Sequence, residues 1–433
     1  MFYDKQPEKN KTEYKEMLSI MGQLSNLFSE SNEPYLAYRA HENIFCKYFV
    51  ADNLARFDCS ADAKKKKVGI GLKTWVGRND QKVAEFGKLK KTYADLKGIE
   101  LVKMIAEYRN ERIRVTKKMH GIDELVYHVV KRVPDAMKIL ECAFDDIDIE
   151  NIKLLPNRGN ENNTYFTDGK HTYHFSVSKN TLYMLFDDLE ELDSFSVKIL
   201  EDPYEALLSL RRKESNSFSI SIENSRDGNE KLEFFCNMTP KKPQICLPLY
   251  SKKNGERFVA EKSGLNQWNG VRTSNRRTKD GTVVHKEAPR DPNEFYIPYS
   301  AEDRGRLSGF FPPRDTPFDL HLPDGNIISA KVCQEAYKKM PEEQYGQLSV
   351  AERLKEDQRR AEGKAIMSNP NKVLGKWLLR DVFELPEGTV VTYEMLEKFG
   401  IDCVVFTRNG ELDYSIDFAE IGTYEKFYGE EED

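Results

Sequence analysis

Paired cysteines, long apolar runs and phosphate-cradling glycine loops are all missing from this 433-residue chain. Its seven cysteines are scattered, with no CxxC spacing. That argues against a disulfide framework or a zinc site, and for reduced thiols in a cytoplasm. No apolar run reaches the roughly 18 residues of a membrane span, so no membrane contact is expected. The polar start MFYDKQPEKNKTEYKE lacks the apolar core of a signal peptide. No Gly-x4-Gly-Lys-Ser/Thr loop occurs, so no nucleotide cofactor is expected.

What is present is a chain with 39% apolar and 32% charged residues and a net charge of −6. Such numbers fit a globular protein of about two to three domains. The organising stretch is ARFDCSADAKKKKVGIGLKTW, residues 55–75. It reads as two strands around a lysine-rich turn. Val68, Ile70 and Leu72 alternate with Gly69, Gly71 and Lys73. Asp58 and Asp62, four apart on the first strand, share a face. The hairpin would bring them to Lys73, a set suited to metal-assisted phosphodiester hydrolysis. A solvated hairpin with one salt bridge is the bland alternative.

Around it, residues 1–30 read as a capping or dimerising helix. A second helix from Pro34 carries His41, a packing histidine by default, and Glu42, a candidate active-site carboxylate. A third helix, Asp80 to Leu96, would place Gln81 and Glu85 one turn apart. A charged helical stretch runs on to His120 and through IDELVYHVVKRVP to Pro134. TYFTDGKHTYHFSVS is a hairpin turning at Asp168-Gly169, residues 181–210 look helical, and SFSISIE and KLEFFCNM look like strands. Residues 251–290 hold ten Lys/Arg against four Asp/Glu, a local +6. This segment is either a solvated loop or an arm that orders on a phosphate backbone. Beyond it come EFYIPY, FDLHL, NIISAKVC, TVVTYEML, DCVVFTR and YSIDF, strands of a barrel or sandwich, interrupted by a charged helix at 341–362.

Glu42 on a helix, the hairpin, then the Gln81/Glu85 helix resemble the helix, β-hairpin, helix core of the PD-(D/E)xK nucleases. The acid that the motif has two residues before its lysine is Gly71 here. The resemblance implies that Glu85 or Glu42 substitutes for it. The pieces SGLNQWNG, NEFYIP, FFPPRDTPF, SAKVCQ, IMSNPNK, LGKWLLRDV and TYEMLEKFGID, in that order, resemble the DNA-recognition domains of NgoFVII-like and BfiI-like restriction endonucleases. These are similar to the EcoRII effector domain and the plant B-three pseudobarrel. Relatives with this domain often carry a phospholipase-D-type HxK nuclease, but the spacings at His128 and His174 fail that motif.

The resemblance implies two arms clasping the major groove: Asn266, Gln267, Trp268, Arg272, Arg276 and Arg277 on one, and Ser368, Asn369, Asn371, Lys372, Lys376, Trp377 and Arg380 on the other. Asn and Gln suit adenine edges, Arg suits guanine, and Lys and Ser meet phosphates. One of Asn369 and Asn371 has helix capping as its ordinary role.

The expectation is therefore an α+β multidomain protein. Residues 1–240 form an α/β PD-(D/E)xK-like nuclease domain, 241–250 a linker, and 251–425 an all-β pseudobarrel with short helices. The expected function is a type II restriction endonuclease: a cytoplasmic homodimer cutting double-stranded DNA with Mg²⁺. Asp62 and Glu85 would hold the metal with Asp58 or Glu42 in support, Lys73 would orient water, and Gln81 would hold a phosphate or Lys73. The rival readings are a DNA-binding protein with a degenerate nuclease half, a cutter of modified DNA only, and a protein-interaction scaffold.

Overall fold

The computed structural model describes residues 1–54, 59–77, 80–160, 162–186, 189–208, 242–277, 283–307, 309–338 and 340–429. The chain opens with helices α1 (Glu8–Gln23) and α2 (Tyr38–Phe49). Strands β1 (Asp52–Asn53), β2 (Ala63–Lys65), β3 (Val68–Trp75) and β4 (Gln81–Glu85) follow. A long helix, Gly98–His120, precedes β5 (Glu124–Val133) and β6 (Ala136–Ala143).

A six-stranded sheet runs β1-β2-β3-β5-β6 and ends in Glu190–Ser196. The hairpin is real and turns at Lys66-Lys67. Its first strand is only three residues long, and Asp58 lies outside the described residues. β3 runs parallel to β5, with Lys73 opposite Val129. The alternation sorts the two faces as the sequence implies. Ile70 and Leu72 pack with Tyr14, Leu18, Phe45 and Phe49 of α1 and α2. The opposite face meets Leu101, Val102 and Ile105 of the long helix. α1 therefore serves as core packing.

Three expected helices are strands. Gln81–Glu85 is β4, with only a short helix after it at Lys90–Tyr93. IDELVYHVVKRVP supplies β5, and residues 181–210 supply Thr181–Leu185 and Glu190–Ser196 and are helical only at 203–208. β4 and Thr181–Leu185 join Thr172–Ser176, Asn163–Thr167 and Lys153–Leu154 in a second, five-stranded sheet. Cross-strand pairing outweighed local propensity: Leu182 and Met184 fill the core from alternate positions. The Asp168-Gly169 turn is present, with Gly169 at φ 88°. SFSISIE and KLEFFCNM lie outside the described residues.

The C-terminal sheet has seven strands: Gln244–Pro248, Ile401–Arg408, Asp413–Glu420, Pro317–His321, Ile327–Glu335, Gly363–Ser368 and Ile297–Pro298. It curls into a nearly closed barrel around Phe310, Phe318, Phe406 and Tyr414. Its first strand falls inside 241–250, the stretch expected to be a linker. The charged insertion holds helices Glu342–Gln347 and Val350–Arg360, the second started by a Ser349/Glu352 capping box. TVVTYEML is not a strand: Thr392 caps the helix Tyr393–Phe399, and Gly400 at φ 80° ends it.

The two halves share the long helix. Its Val115 and Met119 belong to the C-terminal core. Arg114 donates to the carbonyls of Val382 (3.0 Å) and Phe383 (3.2 Å) and meets Glu384 at 2.9 Å. Among the described residues, no helix is long and apolar enough to cross a membrane.

His120, at the end of this helix, is buried. Burial first, then Lys64, pushes its pKa from 6.5 down to about 4, against the pull of Asp324. The unfolded chain therefore takes up a proton between pH 6.5 and 4 that the fold refuses. The contribution of this group is intact above pH 6.5 and is lost as pH falls toward 4. His120→Gln should flatten that loss, worth up to about 3 kcal/mol, in urea titrations run across this window.

Candidate active site and nucleic-acid interface

β2 pairs with β3 only as far as Ile70, and among the described residues no strand pairs with the rest of β3 on that side. A cavity of about 870 Å³ lies there, between the two halves. Glu42, Asp62, Lys73, Gln81 and Glu85 all line it. Residues from separate elements thus line one cavity; Asp58 lies outside the described residues. The long helix contributes Arg112, Val115, Thr116 and Met119, and the C-terminal half contributes Phe399, Ile401, Phe418 and Glu420.

Asp62 sits just before β2, and its Oδ2 accepts the Leu72 N–H at 2.7 Å. Thr116 Oγ1 accepts the Ser60 N–H at 3.1 Å and ties this loop to the long helix. Lys73 has no hydrogen-bond partner among the described residues. Glu42 is nearly buried and meets Arg39 at 3.0 Å. Burial raises the pKa of its carboxyl; Arg39 opposes this, and Asp62 and Lys73 are near enough to push it up and down respectively.

Behind the pocket is a polar network that the sequence did not announce. Tyr14 Oη lies 2.9 Å from His41 Nε2 and 3.0 Å from His128 Nε2. His128 Nδ1 is 2.9 Å from Glu141 Oε1, which also accepts the Tyr3 N–H at 3.1 Å. Burial, then His128 and Lys73, holds His41 neutral, well below its usual range. The network locks α2, and so Glu42, onto the sheet. Only the adjacency of His41 to Glu42 hinted at it.

Gly71 marks where the motif departs, and the fold explains why. A Cβ there would stand 2.7 Å from Tyr127 Cδ1 and 3.1 Å from Phe144 Cε1. The space a carboxylate would need is filled by aromatic core. Glu85 is a weaker substitute than expected. It lies on a strand, not a helix, and its exposed carboxylate pairs with the exposed Lys82. Glu85→Gln should change stability by less than about 0.5 kcal/mol and leave any cleavage rate within about twofold. Among the described residues, no three His, Cys, Asp or Glu side chains group as a metal site. The acids best placed beside Lys73 are Asp62 and Glu42.

In the C-terminal half the implied contacts divide. Asn266 is fully buried. Its amide donates to the carbonyls of Ala260 (3.1 Å) and Val391 (2.9 Å) and accepts the Val391 N–H (2.8 Å). It holds the loop and leaves nothing for a base. Gln267 is buried, and Trp268 packs on the barrel core. Ser368 is buried, donating to the Pro370 carbonyl and accepting the Leu374 N–H. The Trp377 indole donates to Asp324 at 2.7 Å. Arg380 is spent on Asn293 and the carbonyls of Pro292, Leu385 and Pro386.

Others stay available. Asn369, Lys372 and Lys376 are exposed and Asn371 is half-buried, with Lys372 only 3.7 Å from Asp291. The basic segment holds an antiparallel ribbon, Val271–Arg277 against Val283–Pro289, outside the barrel sheet. Arg272 on it is half-exposed and paired with Glu294. Arg276 and Arg277 lie on the same strand, but their side chains are not described.

The C-terminal half is thus a nearly closed barrel with an outlying ribbon and an exposed Asn/Lys turn. Residues 238–409 match the family of the NgoFVII C-terminal B3-like DNA-binding domain. The match supports a restriction-enzyme-type DNA-binding domain in this region, with DNA as its partner. No curated protein matches the chain.

Proposed function

We propose that the protein is a site-specific endonuclease of restriction type, whose C-terminal half reads double-stranded DNA and whose N-terminal pocket hydrolyses it. The observation that carries this is that Glu42, Asp62 and Lys73 line one cavity at the far end of β3, walled in part by the reader itself. The order of α2, hairpin and long helix supports the PD-(D/E)xK reading. Glu42 and Asp62 fit a magnesium ion, which commonly takes one or two protein carboxylates and completes its shell with water and phosphate oxygens. When bound, the ion would supply Lewis acidity and an activated water. Lys73 positions the attacking water and offsets charge growing on the phosphoryl oxygens. Asp62 is held by the Leu72 N–H, so its carboxylate is fixed before substrate arrives. Arg39 keeps Glu42 ionisable despite its burial. Two strands need two cuts, which favours a homodimer on a palindromic site.

The test is digestion of a random-sequence plasmid library with Mg²⁺, followed by sequencing of the ends. Cuts at a fixed offset from one motif bear the proposal out. Uncut DNA with either Mg²⁺ or Mn²⁺ sinks it. The second reading, a reader with a degenerate nuclease half, is favoured by one feature: Tyr127 and Phe144 occupy the place of the missing acid.

A further inference from the structure

We propose that the lysine turn of the β2–β3 hairpin is a phosphate-binding element that carries the DNA footprint of the C-terminal reader onto the N-terminal half. The inference rests on the DNA-binding domain and not on the nuclease reading.

Folding does not explain the turn. Lys66 is exposed and sits at φ 55°, in the left-handed region that glycine or asparagine occupies more comfortably. Four consecutive lysines, 64–67, also repel one another. Their neighbours offset only part of this charge. Lys65 donates to Gln6 at 2.7 Å, and Lys67 meets an exposed Asp123 at 2.9 Å. Lys64 and Lys66 have no hydrogen-bond or ion-pair partner among the described residues. A strained backbone carrying unneutralised charge at a hairpin tip is what a polyanion contact requires and what stability alone would remove.

Position decides the partner. The Lys67 carbonyl accepts the Asp123 N–H at 2.8 Å. Two residues earlier, Gly121 comes against Asp324 of the barrel: a Cβ there would be 3.5 Å from the Asp324 carbonyl oxygen. Asp324 in turn holds the Trp377 indole. Trp377 is buried, but it follows the exposed Lys376 and lies beyond the exposed Lys372 and the half-buried Asn371. Hairpin tip, helix end, barrel turn and reading segment are thus joined by successive contacts. Acids lie along this path too: Asp52 opposite Lys64, Asp123 beside Lys67, Glu124, Asp324, and Asp291 at 3.7 Å from Lys372; Lys66 and Lys376 have no ion-pair partner among the described residues. The other end of the hairpin is the pocket. From Lys66 to Lys73 an extended strand covers about 23 Å, so a duplex gripped at the tip lies along the way to Lys73.

The experiment measures binding of the full chain to a mixed-sequence duplex by fluorescence anisotropy, across salt concentrations, for wild type, Lys64→Gln/Lys66→Gln and Lys66→Gly. Each lost phosphate contact should lower the slope of log affinity against log salt by about 0.9, so the double variant should lose about 1.8. Lys66→Gly removes charge and backbone strain together; it should melt higher than wild type yet bind more weakly, by about threefold or more, equally on any sequence. An unchanged slope in the double variant overturns the proposal while the reader stands. Wild type that shows no salt-dependent duplex binding overturns the DNA reading as well.

Discussion

Lys73→Ala is expected to hold duplex DNA as tightly as wild type and to cut it about 10³-fold more slowly. The ammonium has no hydrogen-bond partner among the described residues and lies on the pocket wall, so its loss should hardly disturb the fold. On the proposed reading its work is confined to the water and the phosphoryl oxygens, where a preorganised cation counts for more than in bulk water. Single-turnover cleavage beside anisotropy separates the two effects. A variant that still cuts at the wild-type rate would move the chemistry elsewhere; wild type and variant that both bind and never cut would establish the degenerate-half reading.

Asn266→Ala is expected to cost about 3 kcal/mol, near 1 kcal/mol for each of three hydrogen bonds lost in a fully buried site. The substitution strands the Val391 N–H and two carbonyls away from water. Urea unfolding gives the number directly. A base-reading asparagine would behave in the opposite way, leaving stability untouched and weakening recognition of particular sequences. Protein that is as stable as wild type but has lost its preferred site would return Asn266 to the reading surface.

That case shows how far side-chain chemistry can be read from a sequence. Asn266 and Arg380 carry the groups that suit adenine and guanine, but the same groups suit backbone carbonyls, and only burial tells the two uses apart. The hairpin was legible because alternation over Val68, Ile70 and Leu72 is a local signal. That Glu42, Asp62 and Lys73 line one cavity was legible because the elements follow one another closely. β5 and Thr181–Leu185 were not, since both are apolar segments whose partners include β3 and β4, far back along the chain. The vacancy at Gly71 was visible in the sequence, but its cause, the rings of Tyr127 and Phe144, was not.

The helix Gly98–His120 begins in one core and finishes in the other. A reader that borrows Val115 and Met119 from its neighbour cannot be exchanged between enzymes like a cassette. Cut away at residue 240, it would keep its ribbon and its exposed lysines but expose a gap beside Phe399 and Ile401. New specificities for this architecture are therefore better sought by altering the reading loops in place than by grafting whole barrels.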